Sequence, residues 1–155
     1  MRKPFIAGNW KMNTDLASAV DLASGLKDAL SDVSDVDVGL FPPALFLADV
    51  VDATTGSGII VGAQNMHFEQ DGAFTGEISG PMIKSVGATH VILGHSERRH
   101  VFGETDELIN LKLKAAHAFG VSAILCVGEL LESREAGETA QVVEAQVKAA
   151  FDGIS

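Results

Sequence analysis

Apolar and polar positions alternate in blocks along this chain: a short apolar run, then a longer stretch with apolar residues at helical spacing. Phe5-Ile6-Ala7 reads as a short buried strand. Over 14–30, Leu16, Val20, Ala23, Leu26 and Leu30 fall on one helical face, with Asn13 or Thr14 as the N-cap. Residues 36–41 predict a second strand, which Pro42 and Pro43 stop. Pro43 suits the start of a helix carrying Leu45, Phe46, Leu47 and Val51. A third strand is expected at 59–63, then a polar loop and a short helix near 79–86 closed by Gly87. Residues 90–94 form the fourth strand. The helix after it spans about 105–119, with Leu108, Ile109, Leu111, Leu113 and Ala116 along it and Gly120 as its cap. Residues 121–127 make a fifth strand. The last helix covers 139–151, with Thr139 as N-cap, Val142, Val143, Val147 and Phe151 on one side, and Gly153 at its end.

Short, continuous apolar strands are those of a sheet covered on both faces. A helix after each strand makes a parallel βα series, read as one domain over 1–155. Two α/β architectures fit five such units. A doubly wound sheet carries a G-x-G-x-x-G turn after its first strand. Here that turn reads Gly8-Asn9-Trp10-Lys11-Met12-Asn13, so the fingerprint is missing. The alternative is part of a (βα)8 barrel, whose chemistry gathers where its strands end. Asn9 and Lys11 follow strand one, Gln64 and Asn65 strand three, His95 and Glu97 strand four, and Glu129 strand five. In the barrel they would all converge on one rim.

Charge narrows the partners. The net charge is −10, from 21 acidic against 11 basic residues, and that field repels nucleic acid and anionic membranes. A small anion remains possible, held by one lysine and a few backbone N–H groups. No apolar run approaches the roughly 18 residues that would span a bilayer. The apolar stretch behind Arg2 and Lys3 is too short for a signal peptide. A single cysteine, Cys126, rules out an internal disulfide and suits a reducing compartment, so a cytosolic protein is expected.

Among the rim residues, His95 stands where a strand gives way to a helix. The N–H groups of Ser96, Glu97 and Arg98 are then presented beside its ring. A donor aimed at one ring nitrogen disfavours the imidazolium, leaving the other N–H for a ligand. Glu97 in a first helical turn favours the helix dipole, and it is expected to pair with Lys11 as well. Arg98, Arg99 and Glu104 read as a structural salt-bridge set. Cys126 reads as a small buried apolar side chain. Glu129, Glu132, Arg134, Glu135 and Glu138 read as a solvated loop and helix face. An exposed loop at 70–77 with Phe74 at its tip suits a partner surface better than a monomer.

G-N-W-K-M-N at 8–13, G-A-Q-N at 62–65, G-A-F-T-G-E at 72–77, G-H-S-E-R-R at 94–99 and C-V-G-E at 126–129 occur together. In that order and spacing, over the whole chain, they resemble the triosephosphate isomerases. The resemblance implies a TIM barrel, present here as about five βα units. It implies interconversion of dihydroxyacetone phosphate and glyceraldehyde 3-phosphate through an enediolate, in glycolysis and gluconeogenesis, with no cofactor and no metal. It makes His95 the electrophile that shuttles protons between the substrate oxygens; a neutral imidazole there is that family's established behaviour rather than a result of this sequence. Lys11 would stabilise the enediolate and attract the phosphate. Asn9 would contact substrate, and Glu97 would hold Lys11. The resemblance also implies a cytoplasmic homodimer in which the loop carrying Phe74 and Thr75 reaches into the neighbouring subunit.

Such a barrel runs to about 250 residues. In the family, strand six delivers the glutamate base, a lid follows it, and strands seven and eight supply the phosphate loops. None of these lies within the 155 residues. The polypeptide alone is therefore expected to be essentially inactive, with strands one and five as open edges and a need for its missing part or a partner copy. The alternative is a non-catalytic βα fragment that self-associates or binds phosphate weakly. A doubly wound nucleotide binder lacks its glycine fingerprint.

Overall fold

The computed structural model describes residues 2–154. Five parallel strands, β1 (Phe5–Asn9), β2 (Asp37–Phe41), β3 (Ile60–Ala63), β4 (His90–Leu93) and β5 (Ser122–Leu125), lie in the order 1-2-3-4-5. Ala7 faces Gly39, Leu40 faces Val61, Ala63 faces Val91 and Ile92 faces Ile124. A doubly wound sheet reverses its order at a switch point. A strictly sequential order has none, so these are five of the eight units of a TIM barrel.

The helices are α1 (Leu16–Ala29), α2 (Leu47–Thr54), α3 (Gly80–Ser85), α4 (Ser96–His100), α5 (Asp106–Phe119), α6 (Leu131–Glu135) and α7 (Thr139–Ala150). The core lies between the central strands and the helices. Leu40, Val61, Ala63, Val91 and Leu93 from the sheet pack with Ala19 and Ala23 of α1, Val50 of α2, and Ile109, Leu113 and Ala116 of α5. Burial falls away at both edges of the sheet. The first strand, expected to be buried, is open: Ile6 is 62% exposed and Phe5 37%. Apolar side chains are covered only where a neighbour stands on each side, and β1 has one neighbour.

Local chemistry moves several predicted boundaries. The N-cap of α1 is Asp15, not Asn13 or Thr14. Its carboxylate accepts the Ser18 N–H at 2.9 Å while its own N–H donates to Ser18 Oγ at 3.0 Å, a capping box. Thr14 sits at φ 77, outside the extended region a cap needs. Thr139 is likewise the first residue of α7 rather than its cap, which is Glu138. After Pro43 the chain makes a single 3-10 turn, Ala44–Phe46, before α2 begins. The helix expected directly after β4 is the single short α4, capped by His95, and α6 is a short helix in the stretch after β5 that reads from sequence as loop and helix face. Leu16, Leu111, Val147 and Phe151 face outward despite their helical spacing. Among the described residues, no helix is long and apolar enough to cross a membrane.

Candidate active site

G-H-S-E-R-R shows how the sequence places a histidine at a strand end. Gly94 adopts φ +74, and a Cβ there would stand 2.9 Å from the Cys126 carbonyl oxygen, so only glycine fits. The turn it allows ends β4 and makes His95 the N-cap of α4. Arg99 locks that turn. Its guanidinium donates to the Gly94 carbonyl (2.7 Å), the Cys126 carbonyl (3.1 Å) and the Asp106 carboxylate (2.6 Å). Arg99 thus ties β4, β5 and α5 together. It does not join the expected ion pair with Glu104, which takes Arg98 Nε at 2.8 Å instead.

His95 Nδ1 accepts the Glu97 N–H at 3.2 Å. A ring nitrogen that accepts carries no proton, so the imidazole proton is left on Nε2. Across the rim, Lys11 Nζ donates to Glu97 Oε1 at 2.7 Å, and Glu97 Oε2 lies 3.6 Å from His95 Nδ1. The hydrogen bond from Lys11 holds the Glu97 carboxyl below the ordinary glutamate value of 4.5; slight burial opposes this, and attraction to Lys11 and His95 adds to it. Glu97 is therefore an anion that fixes an ammonium.

Lys11 itself has φ 54, a left-handed conformation that side-chain-bearing residues rarely adopt. Its N–H donates to Asn9 Oδ1 at 3.0 Å, and its carbonyl accepts Gln64 Nε2 at 2.9 Å. Gln64 also reaches the Phe41 carbonyl at 2.8 Å, which binds the first three strand ends into one rim. Asn9, Lys11, Gln64, Asn65, His95 and Glu97 line an open cavity of about 380 Å³. A cavity of about 460 Å³ opens at the other ends of the first strands, near Lys3, Lys27 and Asp37, and holds no such convergence.

Glu129 leaves this group. Its side chain, expected to be solvated, is only 9% exposed and accepts Arg134 Nε at 2.8 Å and the Thr139 hydroxyl at 3.2 Å. Those bonds, Arg134's first, keep its carboxyl below the usual glutamate value and hold the loop after β5 against α6 and α7. Cys126 is half-buried and burial pushes its thiol up, with Arg99 pulling the other way. Phe74 and Thr75 lie in an exposed loop, the Phe74 ring tilted against His67 with centroids 4.1 Å apart. Among the described residues, no set of three His, Cys, Asp or Glu side chains is placed to hold a metal ion.

One residue escaped the sequence reading. Lys112 of α5 is buried, donating to Glu104 Oε1 at 2.5 Å and to Asn65 Oδ1 at 2.9 Å. The signal was a lysine three residues past Ile109, on the apolar face of a helix.

Five sequential βα units with a polar cluster at the C-terminal strand ends place the chain in the TIM-barrel class. The triosephosphate isomerase family pattern matches residues 4–155, and the chain belongs to that family. It is 56% identical over 155 residues to the triosephosphate isomerase of Carboxydothermus hydrogenoformans, covering all of this chain and 62% of that one. It is 51% identical to that of Acetivibrio thermocellus, over 99% of this chain and 61% of the relative. It is 48% identical to that of Prosthecochloris aestuarii, over the whole chain and 62% of the relative. The chain thus spans about three fifths of the length of these curated relatives.

Proposed function

We propose that these residues supply the electrophilic half of a cytoplasmic triosephosphate isomerase site, interconverting dihydroxyacetone phosphate and glyceraldehyde 3-phosphate. The observation that carries this is the grouping of Lys11, Glu97 and His95 at the strand ends in a member of that family. The substrate oxygens lie between the Lys11 ammonium and the His95 Nε2–H. As a carbon-bound proton leaves, negative charge grows on the carbonyl oxygen, and a fixed cation lowers that barrier. His95 gives its Nε2 proton to one oxygen and recovers one from the other. Glu97 keeps the ammonium from drifting, and Asn9 holds the Lys11 backbone beside the substrate. Neither of the glutamates that follow strands four and five is offered as the carbon base: Glu97 is committed to Lys11 and Glu129 to Arg134. That base comes from outside these five units, and the 155-residue polypeptide alone is inactive.

The working unit in this reading is a homodimer. Met12 is 96% exposed and Phe102 65%, both lining the cavity, and Leu45, 82% exposed, follows Ala44 of the same lining. A second copy covering this rim, with Phe74 and Thr75 in the contact, removes that apolar surface from water.

The test joins residues 1–155 in frame to the remaining units of the Carboxydothermus relative and assays isomerisation. The fusion is expected to be active and dimeric, and the 155-residue polypeptide silent. Lys11→Met and His95→Gln should each cost at least about 100-fold in kcat/KM. Full activity in either variant overturns the assigned role.

A further inference from the structure

Glu104 and Lys112 have side chains only 4% exposed, yet neither touches the cavity. Glu104 Oε1 receives two cations, Lys112 Nζ at 2.5 Å and Arg98 Nε at 2.8 Å. A buried lysine–glutamate pair, joined here by the partly exposed Arg98, is a poor device for stability, since apolar side chains of similar volume commonly do as well or better. The neighbours of Lys112 on its helix face, Ile109, Leu113 and Ala116, would accept a methionine or leucine there. Stability is not what the ions supply.

Their connections show what they do. Lys112 also donates to Asn65 Oδ1, and the adjacent Gln64 donates to the Lys11 carbonyl. Arg98 follows Glu97, which accepts the Lys11 ammonium, on the short helix that His95 caps. Two of the three polar contacts that pin Lys11 therefore lead back to one ionic group centred on the buried Glu104. The third, to Asn9, is local. Lys11 needs this, because a left-handed residue bearing a side chain persists only where its surroundings over-determine it.

We infer that Arg98, Glu104 and Lys112 form a positioning device that sets the distance between the Lys11 loop and the His95–Glu97 helix. Lys112 acts through Asn65 on one side and Glu104 through Arg98 on the other. The inference rests on the isomerase reading for its kinetic consequence, and on geometry alone for the linkage.

The test is a double-mutant cycle in the fusion described above, with Lys112→Met, Asn65→Ala and the pair. Each single variant is expected to lose about 10-fold in kcat/KM, because small misplacements at a reacting centre are costly. Asn65→Ala should hold its melting temperature, whereas Lys112→Met lowers it by leaving buried Glu104 without that cation. The pair is expected to lose no more than the worse single variant, since both cut the same link. Losses that multiply to about 100-fold, or unchanged kinetics, overturn the inference. The NMR shifts of the Lys11 amide and side-chain Cε give a second reading and should move alike in both single variants. Shifts that stay put in Asn65→Ala overturn the linkage even if Lys112→Met fails to fold. An inactive unaltered fusion sinks the isomerase reading, while the Lys11 shifts still decide the linkage.

Discussion

Two lysine–glutamate pairs within this half-barrel have the same chemistry and opposite surroundings. Lys11–Glu97 spans 2.7 Å with side chains 51% and 46% exposed; Lys112–Glu104 spans 2.5 Å with both at 4%. Water screens the first pair, so it adds little to stability, and its ammonium stays open to a ligand. The second has given up its hydration and cannot be broken cheaply, and it is closed to any ligand. One pair is available for chemistry, and the other fixes the frame on which that chemistry depends. Residue type does not separate them; burial does.

The contrast is broken most directly at Glu104. Glu104→Gln leaves the Arg98 and Lys112 cations without their carboxylate, and a loss of about 3–5 kcal/mol in urea unfolding of the fusion is expected. A loss under about 1 kcal/mol would place this pair in the class of exposed ones. Lys11→Met is the converse. It should leave the melting temperature unchanged while lowering isomerase activity by about 10²–10³-fold. A marked drop in melting temperature would mean that the exposed pair is structural too.

A smaller effect sharpens the boundary between the two pairs. Gly94→Ala should destabilise the fusion by about 1–3 kcal/mol, from a Cβ at positive φ pressed against the Cys126 carbonyl. Activity should fall with it, because the same turn carries His95; a neutral substitution would show that the turn tolerates a side chain. The smallest effect is in acid. Lys11 depresses the Glu97 pKa, so its contribution is present above the ordinary value of 4.5 and lost as pH falls through the lower folded value. In Lys11→Met the Glu97 carboxyl should titrate at higher pH by NMR, and that share of acid sensitivity should disappear. An unmoved midpoint would mean another group holds Glu97.

Strand and helix order were legible because buried parallel strands read as continuous apolar runs, and helices carry a different period. The rim was legible for a related reason: polar residues placed just past apolar runs have few places to go in a barrel. Caps were less so. Asp15 and Thr14 both suit an N-cap by type, and the choice followed from Ser18 closing the box. The fate of Glu129 was not readable either, since its partners Arg134 and Thr139 come together only when α6 and α7 fold back on the loop.

By itself, then, the sequence determined the βα alternation, the glycine that turns the chain at 94, and the grouping of Lys11, His95 and Glu97 at strand ends. Those are local matters, set by period, steric freedom and spacing. Only the tertiary structure decided which lysine is buried, which glutamate it meets, and that Ile6 stands open at an edge while Leu93 does not. Burial and the pairing of Lys112 depend on neighbours far away in the chain: Asn65 lies 47 residues from Lys112. No local pattern carries that information, because water leaves a side chain only when distant segments close over it.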